Sequence, residues 1–170
     1  HEVLARFEQG GRLDTLVTQN IDGLHQLAGS SRERVIEIHG TIREVACLGC
    51  TYRVPMQEVL KRLAAGEEDP DCPDCGGILK SATISFGQSL VARDLARAEQ
   101  AARACDLLLA VGSTLSVYPV AGLVPIAKES GARIVIMNGE PTAMDDIADA
   151  VLLGDLNEVL PRVLAGTAHQ

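Results

Sequence analysis

Short aliphatic stretches that stop abruptly on small or polar residues recur along this 170-residue chain, and they limit its fold more than any single motif does. Residues 106–111 are a nearly continuous apolar run ending in Gly112-Ser113-Thr114. Residues 133–137 end in Asn138-Gly139-Glu140-Pro141, and residues 150–153 end in Gly154-Asp155-Leu156. Near the start, residues 13–18 end in Gln19-Asn20. Apolar runs without alternation are what strands covered on both faces look like. Helical stretches separate them: an Ala-rich one at 90–104, one at 120–129 with Pro119 at its start and Gly131 past its end, and one at 157–164. This alternation predicts an α/β fold, a Rossmann-like parallel sheet with helices on both faces. Apolar residues make up 46% of the chain and aromatics only 2%, so the layers must pack with Leu, Val, Ile and Ala.

In a parallel sheet the carboxyl ends of the strands share one edge, and ligands bind in the crevice there. The run Thr18-Gln19-Asn20-Ile21-Asp22-Gly23-Leu24-His25 places two carboxamides and a carboxylate at such an end. Residues 35–38 read as another strand ending on His39-Gly40, and imidazole is the side chain best able to take and return a proton near neutral pH. Small residues at 112–114 let backbone N–H groups approach a phosphate, and Asn138 and Glu140 suit ribose hydroxyls. Singly, each piece is an ordinary turn: Gly punctuates every α/β sheet, and a lone His before Gly is commonly structural. Together they favour a binding edge.

The five cysteines are unevenly placed. Cys47 and Cys50, then Cys72 and Cys75, form two Cys-x-x-Cys pairs around a helix expected at 56–65. Two thiolate pairs, each within a tight turn, close a tetrahedral zinc site with no open position, hence a structural one. The 21 residues between Cys50 and Cys72 lie just outside the usual spacing for such pairs. A redox pair needs only one Cys-x-x-Cys, and an iron–sulfur centre is the remaining alternative. Residues 43–80 thus read as an inserted zinc module, and residues 1–42 and 81–170 as the Rossmann-like domain. Cys105 leads into an apolar strand and reads as a small core residue.

The net charge of −8 and the few aromatics argue against a duplex footprint or a stacking surface, so direct nucleic-acid binding is not expected. No apolar run is long enough for a membrane span, and in a reducing compartment the two Cys-x-x-Cys pairs point to metal rather than disulfides; a cytoplasmic location is expected. The chain begins at His1 inside what reads as a helix at 1–9. It is expected to be a piece of a longer protein whose targeting signal, if any, lies upstream.

In order, Thr18-Gln19-Asn20-Ile21-Asp22, His39-Gly40, the two Cys-x-x-Cys pairs, Phe86-Gly87, Gly112-Ser113-Thr114-Leu115 with Val117 and Pro119-Val120-Ala121, and Asn138-Gly139-Glu140-Pro141 resemble the sirtuin family. The resemblance covers essentially the whole chain. It implies an NAD-dependent protein-lysine deacylase with one structural zinc per chain. By resemblance, His39 is the catalytic base, and Gln19, Asn20, Ile21 and Asp22 form the nicotinamide and nicotinamide-ribose pocket. Gly112, Ser113 and Thr114 meet the phosphates and adenine ribose, Asn138, Gly139 and Glu140 the adenosine ribose, and Leu156 the adenine. Cys47, Cys50, Cys72 and Cys75 are the zinc ligands. The acyl-lysine peptide lies as an added strand between the segment of Ile84, Phe86 and Gly87 and that of Ser116 and Val117, with Phe86 walling the acyl tunnel. The implied products are nicotinamide, free lysine and O-acyl-ADP-ribose.

Two departures from the family pattern stand out. Ser85 replaces a bulky apolar residue and Gln88 a Glu, which leaves acyl preference open. The family's N-terminal glycine-rich loop has no counterpart, so these 170 residues alone are expected to bind NAD poorly and turn over little. Two other readings remain: a mono-ADP-ribosyltransferase on the same fold, and a non-catalytic, zinc-stapled binding domain.

Overall fold

The computed structural model describes residues 1–165. α1 (Glu2–Gln9) leads to β1 (Leu16–Thr18), the one-turn helix α2 (Leu24–Leu27) and β2 (Val35–Glu37). β1 and β2 pair in parallel, Leu16 opposite Val35 and Thr18 opposite Glu37. β1 is shorter than the expected 13–18, because the Leu13 carbonyl is taken at 2.5 Å by the Arg34 guanidinium instead of a strand partner.

The chain then leaves this layer. β3 (Gly40–Cys47), β4 (Arg53–Pro55), α3 (Met56–Ala64) and β5 (Leu79–Thr83) follow, and the three strands form an antiparallel sheet in the order β4-β3-β5. β5 pairs antiparallel with β3, Gly40 opposite Thr83 and Cys47 opposite Leu79. The expected module limits, 43 and 80, fall inside β3 and β5. No strand is evident in the sequence at β3, because its register shifts between Thr41 and Val45 and the period-two pattern breaks there.

α4 (Ala92–Ala104), β6 (Leu107–Val111), a 3₁₀ turn at Val120–Gly122, α5 (Leu123–Glu129), β7 (Arg133–Asn138), a second 3₁₀ turn at Asp145–Ile147, β8 (Ala150–Leu153) and α6 (Leu156–Ala165) complete the described chain. β6, β7 and β8 pair in parallel, in that order. Helices cover both faces. Ala110, Ile134 and Ile136 join Ala98 and Ala102 of α4 and Val124 and Ala127 of α5 in one core. The alternate residues Leu109, Val111, Val135 and Met137 face Leu160 and Leu164 of α6 and Val3, Leu4 and Phe7 of α1. Ile134, Ile136 and Met137 have no exposed surface, as expected of a doubly covered strand. The parallel strands form two pieces, β1-β2 and β6-β7-β8, rather than one hydrogen-bonded sheet. No helix among the described residues is long and apolar enough to cross a membrane.

Candidate functional site

The zinc module closes on itself. β3 delivers Cys47, the turn after it Cys50, and the turn before β5 delivers Cys72 and Cys75. All four sulfurs lie within 4.8 Å of one another, with Cys47 Sγ 3.5 Å from Cys75 Sγ and Cys50 Sγ 3.6 Å from Cys72 Sγ. Zn–S bonds of about 2.3 Å in a tetrahedron put sulfurs roughly 3.8 Å apart, so the donor set fits the metal. The backbone N–H of Gly49 donates to Cys47 Sγ at 3.2 Å and brings that thiol down to about 7, whereas burial and the other thiols outweigh the Tyr52 N–H and push Cys50 up to about 12. A side chain at Gly77 would press on the cluster: its Cβ would lie 3.0 Å from Cys47 Sγ and 3.1 Å from Cys75 Sγ.

The polar residues of the parallel layer meet at the carboxyl ends of its strands. After β1, Thr18 Oγ1 accepts from the Asn20 N–H at 3.1 Å and turns the chain across the strand ends. Gln19 then reaches from one sheet piece to the other, its Nε2 3.4 Å from Ser113 Oγ at the end of β6. His39, at the end of β2, sets Nδ1 3.2 Å from the Gln19 carbonyl oxygen. That oxygen can only accept, so Nδ1 carries the proton and Nε2 presents its lone pair. Two positions here require glycine. Gly40 has φ +76° and a Cβ there would collide with the Ala82 carbonyl, which allows β5 to close on β3 and Ile84 N–H to donate to the His39 carbonyl at 2.8 Å. Gly112 has φ +64°, and its Cβ would lie 3.0 Å from Leu156 Cδ1.

Ser113 Oγ also accepts from the Leu115 N–H at 3.2 Å, and Leu115 is held at φ +54°. Thr114 and Ser116 share a hydroxyl hydrogen bond of 2.8 Å. The Asn138 side chain donates to the Glu140 carbonyl at 2.8 Å, while the Asn138 carbonyl accepts from Gly154 at 3.0 Å. This ties the β7 and β8 ends together beside Leu156. Gln19, Asn20, Ser113, Thr114 and Leu156 line a groove of about 1640 Å³. Asp22 faces a competing use: its Oδ1 accepts from the Leu24 N–H at 2.9 Å and starts α2. Ile21 is half-buried, and its carbonyl accepts from Ile42 at 2.9 Å. Phe86 projects fully into solvent near the exposed Gly87, and Val117 is exposed on the loop after β6.

Some supporting groups have no signal in the sequence. Arg43 donates Nε to the Asp22 carbonyl at 2.9 Å and packs where a Gly23 side chain would be. Glu37, just before His39, is pushed above the usual carboxylate range by burial. Buried His25 is pushed below the usual imidazole range, chiefly by desolvation. These effects come from packing across α2, β2 and β3, which spacing alone does not reveal.

The Sir2 family model matches residues 1–119. NAD-dependent protein deacetylase 2 of Streptomyces coelicolor is 48% identical over 166 residues, covering 98% of this chain and 69% of that protein. NAD-dependent protein deacetylase 1 of Bradyrhizobium diazoefficiens is 44% identical over 162 residues, covering 94% and 63%. A solved Sir2 bound to acetylated peptide superposes with a TM-score of 0.89 at 36% identity, covering 98% of this chain and 68% of that one. A Sir2 complex with NAD+ and a p53 peptide gives 0.88 at 36% identity, covering 98% and 68%. The chain spans about two thirds of the length of the curated relatives it matches.

Proposed function

The chain belongs to the Sir2 family, and from that premise we propose that it carries the dinucleotide-binding rim, the catalytic base and the structural zinc of an NAD-dependent protein-lysine deacylase. NAD supplies an activated ribose whose nicotinamide leaves as the acyl group is taken up. The residues of this chain bind, orient and move protons around that exchange. Gln19, Asn20, Ile21 and Asp22 hold the nicotinamide end. Gly112, Ser113 and Thr114 approach the phosphates with backbone and hydroxyl groups, and Asn138, Gly139 and Glu140 bind the adenosine ribose beside Leu156. The donor set suits such a ligand: carboxamides for a carboxamide, hydroxyls and a carboxylate for ribose, small residues for phosphate.

The single observation that carries this reading is the contact chain Ser113–Gln19–His39. It places one imidazole beside the point where the two sheet pieces meet. With Nδ1 donating to Gln19, Nε2 of His39 accepts a proton from a ribose hydroxyl during acyl transfer. The acyl-lysine peptide runs between the strip of Ile84, Phe86 and Gly87 and that of Val117 as an added strand. The zinc, held by Cys47, Cys50, Cys72 and Cys75, has no open position and no part in the chemistry. Division into residues 1–42 with 81–170 and a 43–80 module, and a cytoplasmic location, belong to the same reading.

The test uses the full-length protein with labelled NAD and an acetyl-lysine peptide. Peptide-dependent release of nicotinamide and O-acetyl-ADP-ribose is expected. His39→Ala should lower turnover by about 10²–10⁴-fold while NAD still binds. Label transferred to protein without the acetyl peptide favours the ADP-ribosyltransferase instead. Unchanged turnover in His39→Ala refutes the assigned base.

A further inference from the structure

Three residues of β3 grip the loop that leads into α2. The register of β3 against β5 breaks between Thr41 and Val45, and its pairing with β4 starts only at Glu44. Ile42 and Arg43 therefore have no partner on either neighbouring strand, and a break of this kind re-aims side chains. Their bonds go to the loop instead. Ile42 N–H donates to the Ile21 carbonyl at 2.9 Å, and Arg43 Nε donates to the Asp22 carbonyl at 2.9 Å. The Thr41 hydroxyl accepts from the Arg43 N–H at 3.2 Å and so fixes where that side chain leaves the strand.

Arg43 acts on the turn twice. It places a charged donor on the Asp22 carbonyl, the stronger kind of hydrogen bond. Its stem also lies across Gly23, which is buried at φ +68°, and a Cβ at Gly23 would collide with Arg43 Nε and Cδ. A glycine left open at this point would let the loop swing, because it has no side chain to restrict it. With the stem over it, the turn is held: Asp22 Oδ1 takes the Leu24 N–H at 2.9 Å, α2 starts at Leu24, and Asp22 Oδ2 is left to a ligand. Arg43 itself is exposed and belongs to neither core cluster, so its loss leaves the packing of the fold intact.

We infer that Arg43 is a positioning residue for the nicotinamide end of the site, setting the direction of the Asp22 carboxylate through the Asp22 carbonyl and Gly23. It acts on the loop and not on the ligand. A group already fixed in its working direction needs no reordering when the ligand arrives. The inference rests on the reading of Gln19 to Asp22 as the nicotinamide pocket and adds a residue that this reading does not include.

The full-length protein is titrated with NAD and with ADP-ribose, which is NAD without its nicotinamide. Arg43→Ala should weaken NAD binding about tenfold, the worth of one hydrogen bond to a charged group, and leave ADP-ribose binding and the zinc content unchanged. Two further substitutions separate the bond from the charge. Gln carries its Nε2 where Arg carries Nε, so Arg43→Gln should keep most of the NAD affinity. Lys carries a methylene there, so Arg43→Lys should behave as Arg43→Ala. If the unsubstituted protein binds neither ligand, the NAD reading fails and this inference fails with it. If it binds both, an unchanged NAD affinity in Arg43→Ala, or an equal loss for NAD and ADP-ribose, overturns this inference alone. Affinity kept by Arg43→Lys and lost by Arg43→Gln overturns it as well. A readout without ligand uses Gly23: Gly23→Ala should lower the thermal midpoint, and by roughly half as much in the Arg43→Ala background, where the collision is gone and only the backbone strain is left. Equal losses in the two backgrounds show that the stem does not cover Gly23, and overturn the inference.

Discussion

The four-thiol cluster and the polar rim are assembled over very different spans of chain. The cluster draws its ligands from positions 47 to 75, from two pairs that each sit within one turn, at one end of a three-stranded antiparallel sheet. The rim draws on positions 19 to 156, on five strands in two pieces, and on one carboxamide that reaches across. A site made of local pairs is fixed by spacing. A site made of strand ends is fixed only when the whole sheet is. The first should therefore survive damage to the second, whereas loss of the first should disturb His39, whose carbonyl is bonded to Ile84 beside the module's last strand, and leave β6, β7 and β8 paired.

The largest effect should come from the cluster. Cys72→Ser, or removal of the metal by a chelator, forfeits metal binding worth on the order of 10 kcal/mol. Amide protection is expected to vanish across β3, β4 and β5 while β6, β7 and β8 keep theirs, with the zinc content falling below one per chain. Uniform loss of protection across both regions would mean that they fold as one unit.

Gly40→Ala strikes the joint between the regions. A Cβ there meets the Ala82 carbonyl in a left-handed backbone conformation, so a loss of about 3 kcal/mol is expected in chemical denaturation. Zinc should remain bound. Gly112→Ala is milder: the φ of +64° costs ~1–2 kcal/mol, and the contact with Leu156 should weaken NAD binding about tenfold in the full-length protein without changing zinc content. Equal NAD affinity would remove Gly112 from the rim.

The smallest effect is a pH dependence. Desolvation lowers the folded pKa of His25, so its stabilising contribution is complete above the unfolded value near 6.5 and is lost as pH falls through the lower, folded value. The thermal midpoint should therefore drop between pH 7.5 and 5.5, and His25→Gln should flatten that drop. A midpoint insensitive to the substitution across this range contradicts the assignment.

The same contrast explains what the sequence made legible. The four-thiol cluster was readable from spacing because Cys-x-x-Cys pairs carry their geometry with them. Strands β6 and β7 were readable because both faces are buried, and their ends at Gly112 and Asn138 follow from that. β3 was hidden by its register shift. The split of the parallel layer was hidden because hydrogen-bond partners between β1 and β6 depend on chain far apart in sequence. The role of Asp22 in starting α2 could not be separated from ligand binding by residue type alone, since the same carboxylate serves either.

The central claim is that separate strand ends form one dinucleotide rim beside His39. NAD titrated into the labelled full-length protein tests it most directly. Amide shifts are expected to move together at Gln19, Ser113, Asn138 and Leu156, with the His39 ring following and the four cysteines silent. Shifts confined to other surfaces, or scattered over residues that share no edge, contradict the account.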